Sequence, residues 1–235
     1  MNNAQVAAPR RAVRSFVRRD GRTTPAQARA LARLWPRYGI DPPAAPPLDL
    51  DAVFGRRAPR VCEIGFGNGE HLRLRAAAQP EQDFLGVEVH RPGAGRLLRE
   101  LEAAGLANVR VACHDAVEVL GEWLAPESLD ELILYFPDPW PKKRHHKRRL
   151  VQPGFARLAA TRLKLDGAWR LATDWADYAR QMREALDAEP LLMNLGGADG
   201  CCQRPPTRLP TRFEQRGQRL GHAVFDLTYR RRQGP

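Results

Sequence analysis

Cysteine is scarce in this 235-residue chain: there are four, Cys62, Cys113, Cys201 and Cys202. None forms a Cys-x-x-Cys pair or stands at metal spacing from a histidine, and adjacent Cys201 and Cys202 make a poor clip. Neither a disulfide framework nor a metal site is therefore expected, and reduced thiols are the simplest reading. Long apolar runs are missing as well. No window approaches the ~18 apolar residues of a spanning helix, and the first residues form no hydrophobic signal segment. A cytoplasmic protein without membrane contact is the expectation. Acid is the third shortage. Asp and Glu total 27 against 38 Lys and Arg, leaving a net charge of +11, which points to a polyanionic partner such as nucleic acid.

Lysine supplies only four of those 38 cations, Lys142, Lys143, Lys147 and Lys164. GC-biased codon use explains a preference for arginine but not clustering, and the charges cluster. Residues 1–30 hold seven arginines against Asp20 alone, and 142–149 hold six cations with no acid. Residues 204–232 hold eight arginines against Glu214 and Asp226.

The chain divides into three parts. Residues 1–22 are polar, Arg-rich and without periodicity, as expected of a mobile arm. Within 23–50, "TTPAQ" starts a short helix with Thr24 as cap, Pro25 in the first turn and Gln27 completing a capping box. That helix should end near Pro36, before the stiff connector "DPPAAPPLD". Residues 51–235 then alternate strand and helix. Strands are expected at 60–64, 83–89, 109–113, 129–136 and 168–173, with helices at 69–78, 95–104, 116–123, 150–163 and 175–187. "HAVFDLTYRR" reads as a terminal antiparallel strand. The expected fold is α/β: a doubly wound, mostly parallel, Rossmann-like sheet of seven strands.

In "RVCEIGFGNGEHL" a strand ends at Glu63 and is followed by Gly65, Gly67 and Gly69 before a helix. Such a turn lets backbone pass close to a ligand, and the helix N-terminus favours negative charge. A dinucleotide fingerprint would need glycine at position 70, where Glu70 stands. The spacing resembles instead the loop of class I S-adenosylmethionine-dependent methyltransferases. Glu88 closes the second strand, where an acid takes ribose hydroxyls in doubly wound folds. Asp115 follows the third strand, and serves either the adenine amino group or the next helix as its cap.

The fourth strand, "LILYF", stops at Pro137-Asp138-Pro139-Trp140. Each proline fixes its own φ and restricts its predecessor, so Asp138 is presented with little backbone freedom, as a catalytic or recognition carboxylate should be. Trp140 either plugs the sheet or stacks on a base. The run from Lys142 to Arg149 begins beside the expected cofactor pocket and suits phosphate contacts.

These stretches, with "FLGVEVHRPGAG", "HDAVEVL", "LATDW" and "TRFEQRGQRLGHAVFDLTYRR", resemble the bacterial-type tRNA (guanine-N7-)-methyltransferases over roughly residues 34–231. The resemblance implies methylation of the variable-loop guanosine of tRNA (position 46) from S-adenosyl-L-methionine, without a metal. By position, it puts cofactor residues on Glu63, Glu88, Asp115 and Asp138, the last also the active-site residue. Substrate residues fall on Lys142, Asp174, Thr211, Arg212, Phe213 and Glu214, and RNA contacts on Arg144, His145, His146, Lys147, Arg148 and Arg149. Asp174 or Glu214 could read guanine N1–H and the N2 amino group; Asp174 could equally cap the following helix, Arg212 and Glu214 could form a surface ion pair, and Phe213 could stack or pack. Two rivals are an exocyclic-amine methyltransferase and a non-catalytic RNA-binding protein with a vestigial pocket.

Overall fold

A computed structural model describes residues 14–16, 23–208, 214, 221 and 223–234. The first helix, α1 (Pro25–Tyr38), carries the expected capping box. The Thr24 hydroxyl accepts from the Gln27 N–H at 3.3 Å and the Gln27 side chain accepts from the Thr24 N–H at 2.9 Å. It runs two residues past Pro36, because a proline deletes one ladder bond but tolerates a final turn that ends two residues on.

The elements that follow are β1 (Gly39–Ile40), α2 (Leu50–Phe54), β2 (Arg60–Ile64), α3 (Glu70–Ala78), β3 (Asp83–Val87) and α4 (Arg91–Ala103). After β4 (Val109–Ala112), α5 (Ala116–Glu118) runs straight into a π-helical turn, Val119–Trp123. Next are β5 (Leu129–Tyr135), a 3-10 turn at Lys143–Arg148, α6 (Pro153–Arg162), β6 (Leu163–Thr173) and α7 (Ala176–Asp187). β7 (Leu192–Asn194) and β8 (Phe225–Arg231) complete the order.

These strands form one eight-stranded sheet ordered β1-β4-β3-β2-β5-β6-β8-β7. That is one strand more than the seven expected of the fold, and two more than the six placed along the sequence. Two-residue β1 and three-residue β7 are too short to leave a period in the sequence. The strands from β1 to β6 pair in parallel, and β8 runs antiparallel between β6 and β7, as the terminal alternation predicts. β6 begins at Leu163 rather than residue 168, with a register shift opposite Leu129 and Glu131 and a left-handed Asp166 at φ 65° beside Gly167.

β2 and β3 are buried at every residue, so neither shows an in–out alternation, and the charged Arg60, Glu63 and Asp83 they carry are buried with them. One face of the sheet packs on α1, α3 and α4 through Leu31, Leu72, Leu97 and Leu101. The other packs on the π turn, α6 and α7 through Leu120, Phe155, Tyr178 and Met182. Strand order reverses between β2 and β5, and in open α/β sheets such a reversal opens a crevice beyond the carboxyl ends of the strands.

Candidate active site

A cleft of about 570 Å³ lies at that reversal, walled by Ile64 and Gly65 from β2, Val87 and Glu88 from β3, and Leu134 to Pro141 from β5 onward. This is the size range of small-molecule sites. Gly65 brings the start of the glycine turn into its wall. Gly65, Gly67 and Gly69 stand at φ 72°, 58° and 77°, and a Cβ on Gly65 or Gly67 would meet nothing within 4 Å. Those two positions are glycine for the backbone conformation, and the space above them is open to a ligand.

Glu88 closes β3 with its carboxylate anchored by three backbone donors. Oε2 accepts from Gly67 N–H at 2.9 Å, and Oε1 from Val89 and His90 at 2.7 and 3.0 Å. Of its roughly four acceptor sites three are filled, and the one left, on Oε2, can take a ribose hydroxyl. Asp115 caps α5 through the Val117 N–H at 3.0 Å, while its neighbours His114 and Ala116 line the cleft. One Asp115 oxygen does the capping, which leaves the other for an exocyclic amine. The Tyr135 hydroxyl at the cleft wall is buried and has no hydrogen-bond partner among the described residues, leaving a donor beside the cleft for a bound polar group. Burial, with the acids Glu131 and Glu63 adding, pushes that phenol well above its ordinary range. Burial likewise pushes the Cys113 thiol up to about 11, so it stays neutral and is no nucleophile.

Glu63 sits elsewhere. It is 4% exposed and does not line the cleft. His71 donates to it through Nδ1 at 2.8 Å, and the same ring meets Tyr135 edge-on with centroids 5.1 Å apart. Glu63 thus lies behind His71, whose ring abuts Tyr135 of the cleft wall.

The corner after β5 is strained on both sides. Phe136 and Trp140 hold φ of 51° and 45°, in the left-handed region that bulky residues avoid, and strain of this kind gathers at working sites. Between them Asp138 is exposed on the cleft wall, with no hydrogen-bond partner among the described residues. Asp174 follows β6 at the neighbouring strand end; the cap residue of α7 is Trp175, so Asp174 is not that helix's cap. Trp140 is neither a core plug nor free. Its Nε1 donates to the Ser15 carbonyl at 3.0 Å, His145 meets its ring edge-on, and the Arg148 guanidinium lies 5.0 Å over its face. Ser15 and Phe16 themselves line the cleft, so the Arg-rich arm reaches the site through these two residues.

The basic run divides in two. Lys142, Arg144 and Lys147 are exposed, and Arg148, His145 and His146 are half-buried. Partial desolvation, then Arg144, Arg148 and the lysines around it, pull the His145 pKa down, so at neutral pH it adds a hydrogen-bonding ring rather than a charge. Arg149, expected among the RNA contacts, is turned inward. It is 2% exposed, and its guanidinium is spent on Pro139, Gln181 and Asp177. The last cation of the run meets apolar Leu150 and Val151, and that junction was the available signal.

Glu214 is also inside the molecule, 2% exposed, and accepts from Arg208 at 2.6 Å. Arg208 donates to Asp226 at 2.7 and 2.8 Å and lies 5.7 and 5.6 Å from the Tyr135 and Phe136 rings. Glu214 is therefore buried, and among the described residues it pairs with Arg208 and, at 3.9 Å, with Arg204. Thr211, Arg212 and Phe213 lie outside the described residues. Among the described residues, no group of three or more His, Cys, Asp or Glu side chains is placed to hold a metal, and no helix is long and apolar enough to cross a membrane.

Sheet order, glycine turn and strand-end acids together define a class I, Rossmann-like methyltransferase. Solved structures agree on the fold. A 16S rRNA methyltransferase, KamB, superposes with a TM-score of 0.57 at 15% identity over 84% of this chain and 100% of its own. A 16S rRNA (adenine(1408)-N(1))-methyltransferase from Catenulisporales acidiphilia, with cosubstrate SAM, gives 0.53 at 17% over 80% and 93%. The family described as "Putative methyltransferase" matches residues 57–227. Curated relatives are closer still. The tRNA (guanine-N(7)-)-methyltransferase of Alkalilimnicola ehrlichii is 57% identical over 99% of this chain and 98% of its own length. That of Methylococcus capsulatus is 56% identical over 96% of both. The chain belongs to the tRNA (guanine-N(7)-)-methyltransferase family.

Proposed function

We propose that the protein transfers the methyl group of S-adenosyl-L-methionine to N7 of the variable-loop guanosine, position 46, of tRNA, and that it works in the cytoplasm, where that substrate is. The observation that carries this reading is an exposed, proline-locked Asp138 on the wall of a cleft that is also lined by Gly65 of the glycine turn and by Glu88.

S-adenosylmethionine, when bound, supplies an electrophilic methyl carbon on a sulfonium. Glu88 would take a ribose hydroxyl and Asp115 the adenine amino group, with the backbone of Gly65 and Gly67 passing beneath. Guanine N7 is already a lone-pair nucleophile with no proton to lose, so the chain needs no strong general base and the chemistry calls for no metal. What it must supply is alignment within near-attack distance, and a fixed negative charge near the purine as that ring becomes cationic. Asp138 does the second. Asp174, on the next strand end, stands on the same rim to accept from N1–H and the N2 amino group, an arrangement that adenine cannot match. Glu214 is assigned to the Arg208 pair rather than to the base.

Lys142, Arg144, Lys147 and Arg148 hold the RNA backbone. Changing Lys147 and Arg148 together to alanine should weaken all tRNAs alike and flatten the plot of log affinity against log salt by about one unit per cation removed, measured by filter binding. Phe16 forms part of the cleft wall. Phe16→Ala should raise the dissociation constant for S-adenosylmethionine about tenfold by calorimetry, the scale of one lost apolar contact surface. An unchanged value would free the arm from the cofactor site.

Mass spectrometry of nucleosides after incubating unmodified tRNA with the protein and labelled cofactor tests the reaction. N7-methylguanosine in the variable loop is the expected product. Methylated exocyclic amines alone would overturn the assignment, and calorimetry showing no saturable cofactor binding would favour an RNA-binding protein without catalysis.

A further inference from the structure

We infer that Arg149 is a positioning residue for the Asp138 corner: it clamps the Pro139 carbonyl to α7 and so fixes where the Asp138 carboxylate stands. This rests on the role proposed above for Asp138.

After the Phe136 N–H bonds to Ala172 at 2.8 Å, the next backbone-to-backbone hydrogen bond along the described chain is His145 to Lys142 at 2.7 Å. The corner between them belongs to no ladder. Two prolines there have no N–H to give, so carbonyl oxygens are the handles by which it can be held. Arg149 takes one: its Nε donates to the Pro139 oxygen at 2.8 Å. The rest of the fork reaches α7, with Nη1 on Gln181 at 2.7 Å and Nη2 on Asp177 at 2.8 Å, four residues apart and so on one helical face. The guanidinium also lies 4.9 Å over the Tyr178 ring, whose hydroxyl accepts from the Val151 N–H at 3.2 Å. Gln181 returns a bond to the Val151 carbonyl at 3.3 Å.

Helix, strand exit and corner are thus joined through one planar cation. Fixing the Pro139 carbonyl fixes that peptide plane, and with proline φ set on both sides Asp138 keeps little but its own χ angles. A lysine cannot reproduce this, because a single ammonium does not span three acceptors set in a fork. Neighbouring Arg148 has the opposite fate, lying over Trp140 on the RNA side. Adjacent arginines in one basic run therefore do different work.

The test uses the full chain and compares Arg149→Lys with Arg148→Ala. Single-turnover methylation at saturating tRNA and cofactor, tRNA affinity and thermal midpoint are measured for each. The indole N–H resonance of Trp140, assigned by its loss in Trp140→Phe, reports the corner directly. Arg149→Lys should slow methylation about 30-fold, the scale of a sub-ångström misplacement of a reacting group, shift the Trp140 resonance, and leave tRNA affinity within about threefold. Arg148→Ala should raise the tRNA dissociation constant. Arg149→Lys with weakened tRNA binding, but the wild-type rate at saturation and an unmoved Trp140 resonance, would make Arg149 an ordinary RNA contact and overturn the inference. Should Arg149→Lys fail to fold, Gln181→Leu decides, since it removes one acceptor of the clamp and no positive charge. A slower rate with unchanged tRNA affinity supports the clamp, and a wild-type rate overturns it. If instead Asp138→Ala turns over normally, the role of Asp138 fails, while the Trp140 shift still reads whether Arg149 holds the corner.

Discussion

Asp138→Ala should lower the single-turnover rate at saturating tRNA and cofactor by about 10²–10³-fold, the loss typical of removing one preorganised group that meets developing charge. Its affinity for tRNA should stay within about threefold, because phosphate contacts supply most of the binding and Asp138 touches none of them. Asp138→Asn should fall between, keeping shape and hydrogen bonding while losing the negative charge. Asp138 is exposed and accepts no hydrogen bond among the described residues, so its removal should leave the thermal midpoint near that of the wild type. Rapid-quench methylation beside filter binding separates the two effects. A proportional loss of binding with an undiminished maximal rate would show that the carboxylate recognises rather than stabilises.

Gly93→Ala should be as damaging, for a wholly steric reason. Gly93 sits in the first turn of α4, where alanine is ordinarily the better helix former. A Cβ there, however, would collide with the carbonyl oxygen of Gly67, the middle glycine of the turn that enters the cleft wall at Gly65. Backbone must move, and what moves is the turn over which the cofactor is expected to lie. Affinity for S-adenosylmethionine should fall by at least about 30-fold by calorimetry, roughly the 2 kcal/mol of an overpacked site, while circular dichroism keeps its native helical signal. Gly105→Ala is the control, since that glycine, at φ 64°, has nothing within 4 Å of its absent Cβ and lies away from the cleft. Equal cofactor affinity in Gly93→Ala and wild type would mean that the turn yields freely, and that its shape does not set binding.

Much of the frame is legible in the sequence, and the reasons are local. The apolar stretches within β2, β3 and β5 (Val61–Cys62, Phe84–Val87 and Leu132–Leu134) announce strands because parallel strands are covered on both faces, and the three glycines mark the turn by their spacing. Thr24 and Gln27 declare the start of α1 across three residues. What was not legible depends on partners distant in the chain. Phe16 joins the cleft through the bond between Ser15 and Trp140, 125 positions apart. Arg149 looks like its five cationic neighbours until α7 brings Asp177 and Gln181 beneath it, 28 and 32 residues on. Glu63 and Glu214 read as ligand acids, and only the folded arrangement shows His71 and Arg208 taking them. The π turn at Val119–Trp123 escapes because one widened turn leaves the apolar spacing of a helix almost intact.

The place of β8 carries a consequence for biosynthesis. β6 is finished at Thr173, yet its partner on that side is Phe225–Arg231, made about fifty residues later, which also pairs β7. Until those residues leave the ribosome, a nascent chain holds an open, largely apolar edge and an unclosed sheet. A chain cut before Phe225 should therefore aggregate rather than persist as a weakened enzyme, because β6 then keeps an unpaired edge.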